Sequence, residues 1–163
     1  MNDLPEADRQ AIAALFDEMY RAWGAGDAAR YAACFEPDVD YVAFDGTHIK
    51  GRVANERLHR QLFDSVLHDT RVEGSLSQLR LLTPDVALAH ATGSVLFPWQ
   101  RSLAQARGRL SLQTLVLVRR EGRWLAAAFQ NTRVKPMPAP ESGSFAMRAF
   151  AAYASLRRAL ARV

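Results

Sequence analysis

Hydrophobic side chains first recur at the helical period. Ile12, Leu15, Phe16, Met19, Tyr20 and Trp23 fall at i, i+3, i+4, i+7, i+8 and i+11, one stripe on one helix face. Asp3 and Glu6 form a capping pair ahead of it, Pro5 is tolerated in the first turn, and Gly24 and Gly26 stop it. Asp27 is placed to cap a short second helix carrying Tyr31, Cys34 and Phe35, closed by Pro37-Asp38. A strand is predicted over 39–44, ending at the turn dipeptide Asp45-Gly46, with a short return over 47–50. A third helix follows Gly51, with His59, Leu62, Phe63 and Val66 on one face.

Beyond it the period becomes strand-like. Two long strands are predicted over 72–82 and 86–97, joined by Thr83-Pro84-Asp85, and two more over 110–119 and 123–134, joined by Arg120-Glu121-Gly122. The arginine-rich stretch 98–109 between the hairpins is irregular. Pro136, Pro138 and Pro140 end the folded body, and a last helix is expected over 144–162. Helices gathered early and a meander late give an α+β domain, with helices covering one face of a curved antiparallel sheet. The expected division is a domain over 1–138 and a basic helical extension over 139–163. A bent sheet closed by helices leaves a cavity wherever side chains do not fill the cone.

Composition narrows the function classes. The 163 residues are 49% hydrophobic and 23% charged, the profile of one globular domain. No apolar run approaches the ~18–20 residues that span a bilayer, and the polar, acidic start lacks a signal-peptide pattern. The single cysteine, Cys34, excludes an internal disulfide and a cysteine-built zinc site, which reads as a reducing cytoplasm. The pI near 9.7 comes from the tail: Arg148, Arg157, Arg158 and Arg162 against Glu141 supply +3 of the net +4. A nearly neutral body argues against a nucleic-acid footprint.

Several blocks match a known family in order: Asp38-Val39-Asp40-Tyr41, Phe44-Asp45-Gly46, Lys50-Gly51, His59-Arg60-Gln61-Leu62-Phe63, His90-Ala91-Thr92-Gly93, Gln113-Thr114-Leu115-Val116-Leu117-Val118 and Phe129-Gln130-Asn131-Thr132. Across residues 5–136 the chain resembles the SgcJ/EcaC family, a SnoaL-like branch of the nuclear-transport-factor-2-like superfamily. The resemblance implies a cone fold, a small-molecule pocket, a homodimer, and work on polyketide-like metabolites in natural-product biosynthesis. The superfamily also holds non-catalytic binding and association domains, so function must be argued from the site. Where the family carries a histidine before the asparagine of the last strand, this chain has Gln130.

The candidate chemistry is sparse. His59, one turn before Leu62 and Phe63, points at the sheet; it reads either as a general base in an apolar pocket or as a core histidine tied to a carbonyl. Asp40 reads either as a surface residue or as a base for enolisation beside the cavity, with Tyr41 as an oxyanion donor, although alternation puts the two on opposite faces of their strand. Asn131, expected to share a face with Leu125, Ala127 and Phe129, and Gln113, beside Ser111 and Leu115, are candidate ligand contacts. Trp99 reads either as a stacking surface at the pocket mouth or as a residue packed against the N-terminal helix. Asp45 reads as a turn residue, His48 and His68 as solvated loop residues, and Cys34 and Trp124 as buried structural groups. The four histidines show no metal-ligand spacing, and no dinucleotide fingerprint, P-loop or nucleophile elbow occurs, so neither metal nor cofactor is expected. The expected partners are a small hydrophobic metabolite and a second copy of the chain, with no nucleic acid and no membrane.

Overall fold

The structure, a computed structural model, describes residues 4–135 and 143–160. The elements run α1 (Glu6–Gly24), α2 (Ala28–Ala32), β1 (Phe35–Val42), β2 (His48–Lys50), α3 (Arg52–Phe63), β3 (Arg71–Thr83), β4 (Val86–Leu96), a 3-10 segment (Leu103–Arg109), β5 (Ser111–Arg120), β6 (Arg123–Arg133) and α4 (Phe145–Leu160). The strands form one six-stranded sheet in the order β2-β1-β6-β5-β4-β3. This is the α+β cone that the pattern predicts. The β1–β6 pair is parallel and the rest are antiparallel.

The stripe on α1 is buried as expected, with Ile12, Phe16, Met19 and Trp23 in the core. Asp8 in its first turn ties the helix to the sheet: its Oδ1 accepts from Trp124 Nε1 at 3.1 Å and from Arg119 Nη1 at 2.8 Å. Two donors satisfy a carboxylate that the fold buries. Asp3 lies outside the described residues, and the cap position of α1 falls on Pro5. Gly26, at φ +65°, turns the chain after α1, and Asp27 caps α2 by accepting from the Arg30 amide at 3.0 Å. The β5–β6 hairpin turns through Glu121 (φ 52°) and Gly122 (φ 77°), two consecutive left-handed residues of the kind a tight hairpin selects.

Two boundaries differ from the sequence reading. The second helix ends at Ala32, and Phe35 already pairs with Ala126 of β6, so β1 starts four residues earlier than expected and contains Pro37. The third helix stops at Phe63, leaving Val66 in the following turn. The boundary expected at 138 lies outside the described residues. On α4, Phe145, Phe150 and Tyr153 stand exposed rather than packed on the domain.

A bulge decides which face of β6 looks inward. Val116 pairs with Ala128, but the next residue, Leu117, pairs with Ala126, which leaves Ala127 as an extra residue on β6. Trp124 and Ala126 are buried before it, and Phe129 after it, so the inward parity switches at Ala127. The expected face of Leu125, Ala127, Phe129 and Asn131 is therefore replaced by Phe129, Asn131 and Arg133. Gln130 falls on the outer face and is exposed, so it does not enter the cone interior.

The cone is packed at one end and hollow at the other. Inward positions at the packed end are large: Ile12, Phe35, Leu115, Leu117 and Trp124. At the other end Ala43, Gly93 and Ser111 occupy inward positions and cannot fill the space between sheet and helices. Gly74 and Gly93 bring β3 and β4 together there; a Cβ on Gly74 would lie 2.6 Å from the Thr92 carbonyl oxygen and 2.9 Å from the Tyr20 hydroxyl.

Candidate functional site

The hollow end is a cavity of about 500 Å³. Its lining comes from α1 (Phe16, Met19, Tyr20, Trp23), Tyr31 of α2, Tyr41 of β1, Leu58, His59 and Leu62 of α3, and the inward side chains of β4, β5 and β6. This size and this mostly apolar wall suit one small organic molecule.

His59 sits at the aromatic base of the cavity, 2% exposed. Its Nδ1 lies 2.9 Å from the Asn55 carbonyl oxygen one turn earlier in α3. A carbonyl only accepts, so Nδ1 carries the proton and Nε2 presents a lone pair. Nε2 has no hydrogen-bond partner among the described residues. The imidazole lies among the rings of Trp23, Tyr31, Tyr41 and Phe63, with centroids 5.6, 4.5, 5.4 and 5.7 Å away. Burial in this cage pushes its pKa down to about 4, against a smaller upward pull from the Asn55 carbonyl. The ring is therefore neutral at physiological pH.

Tyr41 and Tyr31 complete the base. Their hydroxyls are 3.4 Å apart, and the Tyr41 ring stacks on Phe129 at 4.5 Å and 14°. Burial raises both phenols, Tyr41 to about 12, so both stay protonated. One hydroxyl hydrogen bridges the pair and the other is available to a ligand oxygen. Asn131 faces Gln113 across the β5–β6 ladder, and both line the cavity. Asn131 Oδ1 is buried without a partner, an acceptor held ready for a donor.

Two expected residues lie elsewhere. Asp40 does not reach the cavity: alternation along β1 turns it outward, where it is exposed and its Oδ1 meets His48 Nε2 at 2.8 Å. His48 is thus a β2 residue paired to Asp40, not a free loop histidine. Trp99 is 72% exposed and stacks on Phe97 at 4.9 Å; it is Phe97, inside it, that lines the cavity. Asp45 keeps its turn role, its Oδ1 accepting from the Thr47 amide at 3.0 Å, but it also stands on the cavity rim. Cys34 is buried and its thiol is pushed up to about 11, chiefly by desolvation.

Sequence reasoning missed Trp23 and Tyr31 as cavity residues, because it read them as core. It also missed Arg109 and Arg133 at the mouth. Arg133 lies two residues beyond Asn131 on β6, so parity with Asn131 was the available signal. Among the described residues no group of three or more metal-ligating side chains forms a cluster.

Residues 12–128 match the SnoaL-like domain. The chain belongs to the SnoaL-like family. No curated protein matches it. Among solved structures, this SnoaL-like protein is similar to a domain of unknown function with a cystatin-like fold from Nostoc punctiforme, at 29% identity and TM-score 0.74 over 98% of this chain and 100% of that one. An NTF-2-like protein of unknown function from Shewanella oneidensis is 12% identical with TM-score 0.64, covering 76% and 98%. A protein from Novosphingobium aromaticivorans provisionally named a scytalone dehydratase is 13% identical with TM-score 0.68, covering 83% and 89%. The last two show the fold alone. No helix among the described residues is long and apolar enough to cross a membrane.

Proposed function

We propose that this SnoaL-like protein binds a hydrophobic, polyketide-like metabolite in the cone and moves a proton on it without a cofactor. One observation carries the reading: the unpartnered Nε2 of a neutral His59 at the base of an apolar cavity of about 500 Å³. Nε2 takes a proton from a carbon next to a carbonyl, and the Tyr31–Tyr41 pair donates its spare hydrogen to the oxygen on which negative charge develops. The same proton returns from Nε2 to another atom of the ligand, so the step is redox-neutral. A base held at about 4 is weak, which restricts it to carbon acids already activated between two carbonyls. Polyketide chains carry such carbons, and the SgcJ/EcaC-like sequence blocks support the same ligand class. Asn131 and Gln113 orient the ligand from the β5–β6 wall.

The test is hydrogen–deuterium exchange at the activated methylene of an aryl β-diketone, followed by NMR with and without protein. Catalysed exchange that disappears in His59→Gln while the diketone still binds supports proton transfer. Binding with no catalysed exchange leaves the second reading, a non-catalytic carrier. That reading draws on the absence of a carboxylate beside His59 among the described residues. A homodimer is part of the proposal: the outer sheet face, with Leu112 exposed on β5, is the surface for a second copy, and light scattering on the purified chain tests it.

A further inference from the structure

The cavity has a charged mouth that the chemistry at its base does not use. Arg109, at the end of the 3-10 segment, and Arg133, at the end of β6, both line it. Neither has a carboxylate within ion-pair distance among the described residues, although most other arginines of the domain that are held by contacts meet one, such as Arg119 with Asp8 and Arg30 with Glu18. Each is held instead by neutral groups. Arg133 donates through Nη1 to the Arg109 carbonyl oxygen, with Ser111 Oγ 3.4 Å away, and its guanidinium carbon stands 4.4 Å over the Phe44 ring. Arg109 donates through Nε to the Val95 carbonyl oxygen at 3.3 Å and through Nη2 to Gln100 Oε1, with its guanidinium 4.8 Å over Phe97.

These contacts fix both guanidinium planes and leave donors over: Nε and Nη2 of Arg133, and Nη1 of Arg109. The two cations also oppose each other. Burial and the nearby Arg109 charge both lower the pKa of Arg133, as expected of like charges brought together with no anion between them. Asp45, on the same rim, commits an oxygen to the Thr47 amide. Below the arginines the wall passes through the unpartnered Oδ1 of Asn131 to the aromatic base around His59. Polarity along the cavity therefore runs from cationic rim, through an acceptor, to an apolar floor.

We infer that Arg109 and Arg133 form a carboxylate clamp, and that the ligand is a planar apolar carboxylic acid entering ring-first with its carboxylate at the mouth. The buried Asn131 acceptor adds that the body of this acid carries a hydroxyl. The inference rests on the cone being a ligand pocket and adds the ligand's charge and polarity. Fixed guanidinium forks suit a carboxylate because two parallel N–H donors match its two oxygens, and the partly dry rim strengthens each charge-assisted bond.

Matched pairs test it. The probes are hydroxylated benzoic, 2-naphthoic and 2-anthroic acids and the primary amide of each, titrated into the full chain by calorimetry at neutral pH and low salt. The acid is expected to bind about tenfold or more tighter than its amide on at least one scaffold, the size of one charge-assisted hydrogen bond. That preference is expected to fall to about onefold in Arg133→Gln and in Arg109→Gln. In Arg133→Lys, which keeps the charge without the fork, it should be partly retained. Asp40→Asn, on the outer face of β1, should bind with the preference unchanged. Circular dichroism identifies any variant that fails to fold, and Arg133→Lys then carries the comparison. Equal affinity for acid and amide, or a preference that survives both glutamine variants, overturns the clamp and leaves the pocket standing. No binding of any of the six probes overturns the clamp and counts against the pocket as well.

Discussion

His59 gives its Nδ1 proton to the Asn55 carbonyl 2.9 Å away, one turn earlier on α3. That bond fixes the tautomer, and the tautomer decides which nitrogen can do chemistry. The Nδ1 proton is committed to the helix, so Nε2 alone is left to the cavity. Without that carbonyl the ring could carry its proton on either nitrogen, and the site would not be set for proton abstraction.

His59 makes folding stability depend on pH. Its pKa is near 6.5 in the unfolded chain and about 4 in the fold, so between these values the unfolded chain binds a proton that the folded chain does not. The contribution is complete above about 6.5 and is lost as pH falls toward 4, on the order of 3 kcal/mol across the window. Urea denaturation of the wild type and His59→Gln at pH 7, 5.5 and 4 checks it. The difference in stability between the two should shrink as pH falls, and a constant difference would contradict the buried neutral ring.

The tyrosine pair should separate binding from turnover. Tyr41→Phe and Tyr31→Phe each remove the 3.4 Å contact between hydroxyls and cost stability by about 1 kcal/mol. If the pair holds a developing oxyanion, each substitution slows exchange at the diketone methylene by about tenfold or more, with diketone affinity changed far less. Exchange rates and calorimetric affinities measured on the same variants distinguish the two effects.

Asp40→Asn should do almost nothing. The carboxylate is 60% exposed and meets only His48, an outer-face pair of β1 and β2. Stability is expected to move by no more than about 0.5 kcal/mol, with exchange and ligand affinity unchanged. Loss of exchange in this variant would return Asp40 to the site and contradict the geometry of β1.

Gly74→Ala should reshape the cavity from behind. The added methyl would sit 2.6 Å from the Thr92 carbonyl oxygen, which belongs to the paired strand and cannot swing away. A cost of about 1–3 kcal/mol is expected by chemical denaturation. Because the Tyr20 hydroxyl is also only 2.9 Å from that methyl, weaker ligand binding should accompany the loss.

Much of the fold was written in short-range pattern. The α1 stripe, the Asp27 cap, the Thr83-Pro84-Asp85 and Glu121-Gly122 turns and the four long strands are all local choices of period and turn chemistry. His59 was legible as an inward residue because helix geometry alone aims it at the sheet. Tyr41 and Asp40 were legible as opposite faces, since strand alternation requires it. Which of those faces is concave was not legible: that depends on β1 lying parallel beside β6, a pairing between segments about ninety residues apart.

The sequence by itself determined the α+β order, the strand faces up to a choice of side, and a histidine on the inward face of α3. Tertiary structure decided the side, and with it the site. The bulge at Ala127 moved the inward parity of β6 onto Phe129, Asn131 and Arg133, and the small residues Ala43, Gly93 and Ser111 left the cone hollow at that end. Neither outcome can be read from one segment. A bulge exists only as a mismatch between two paired strands, and a cavity is the volume left over after several elements have met.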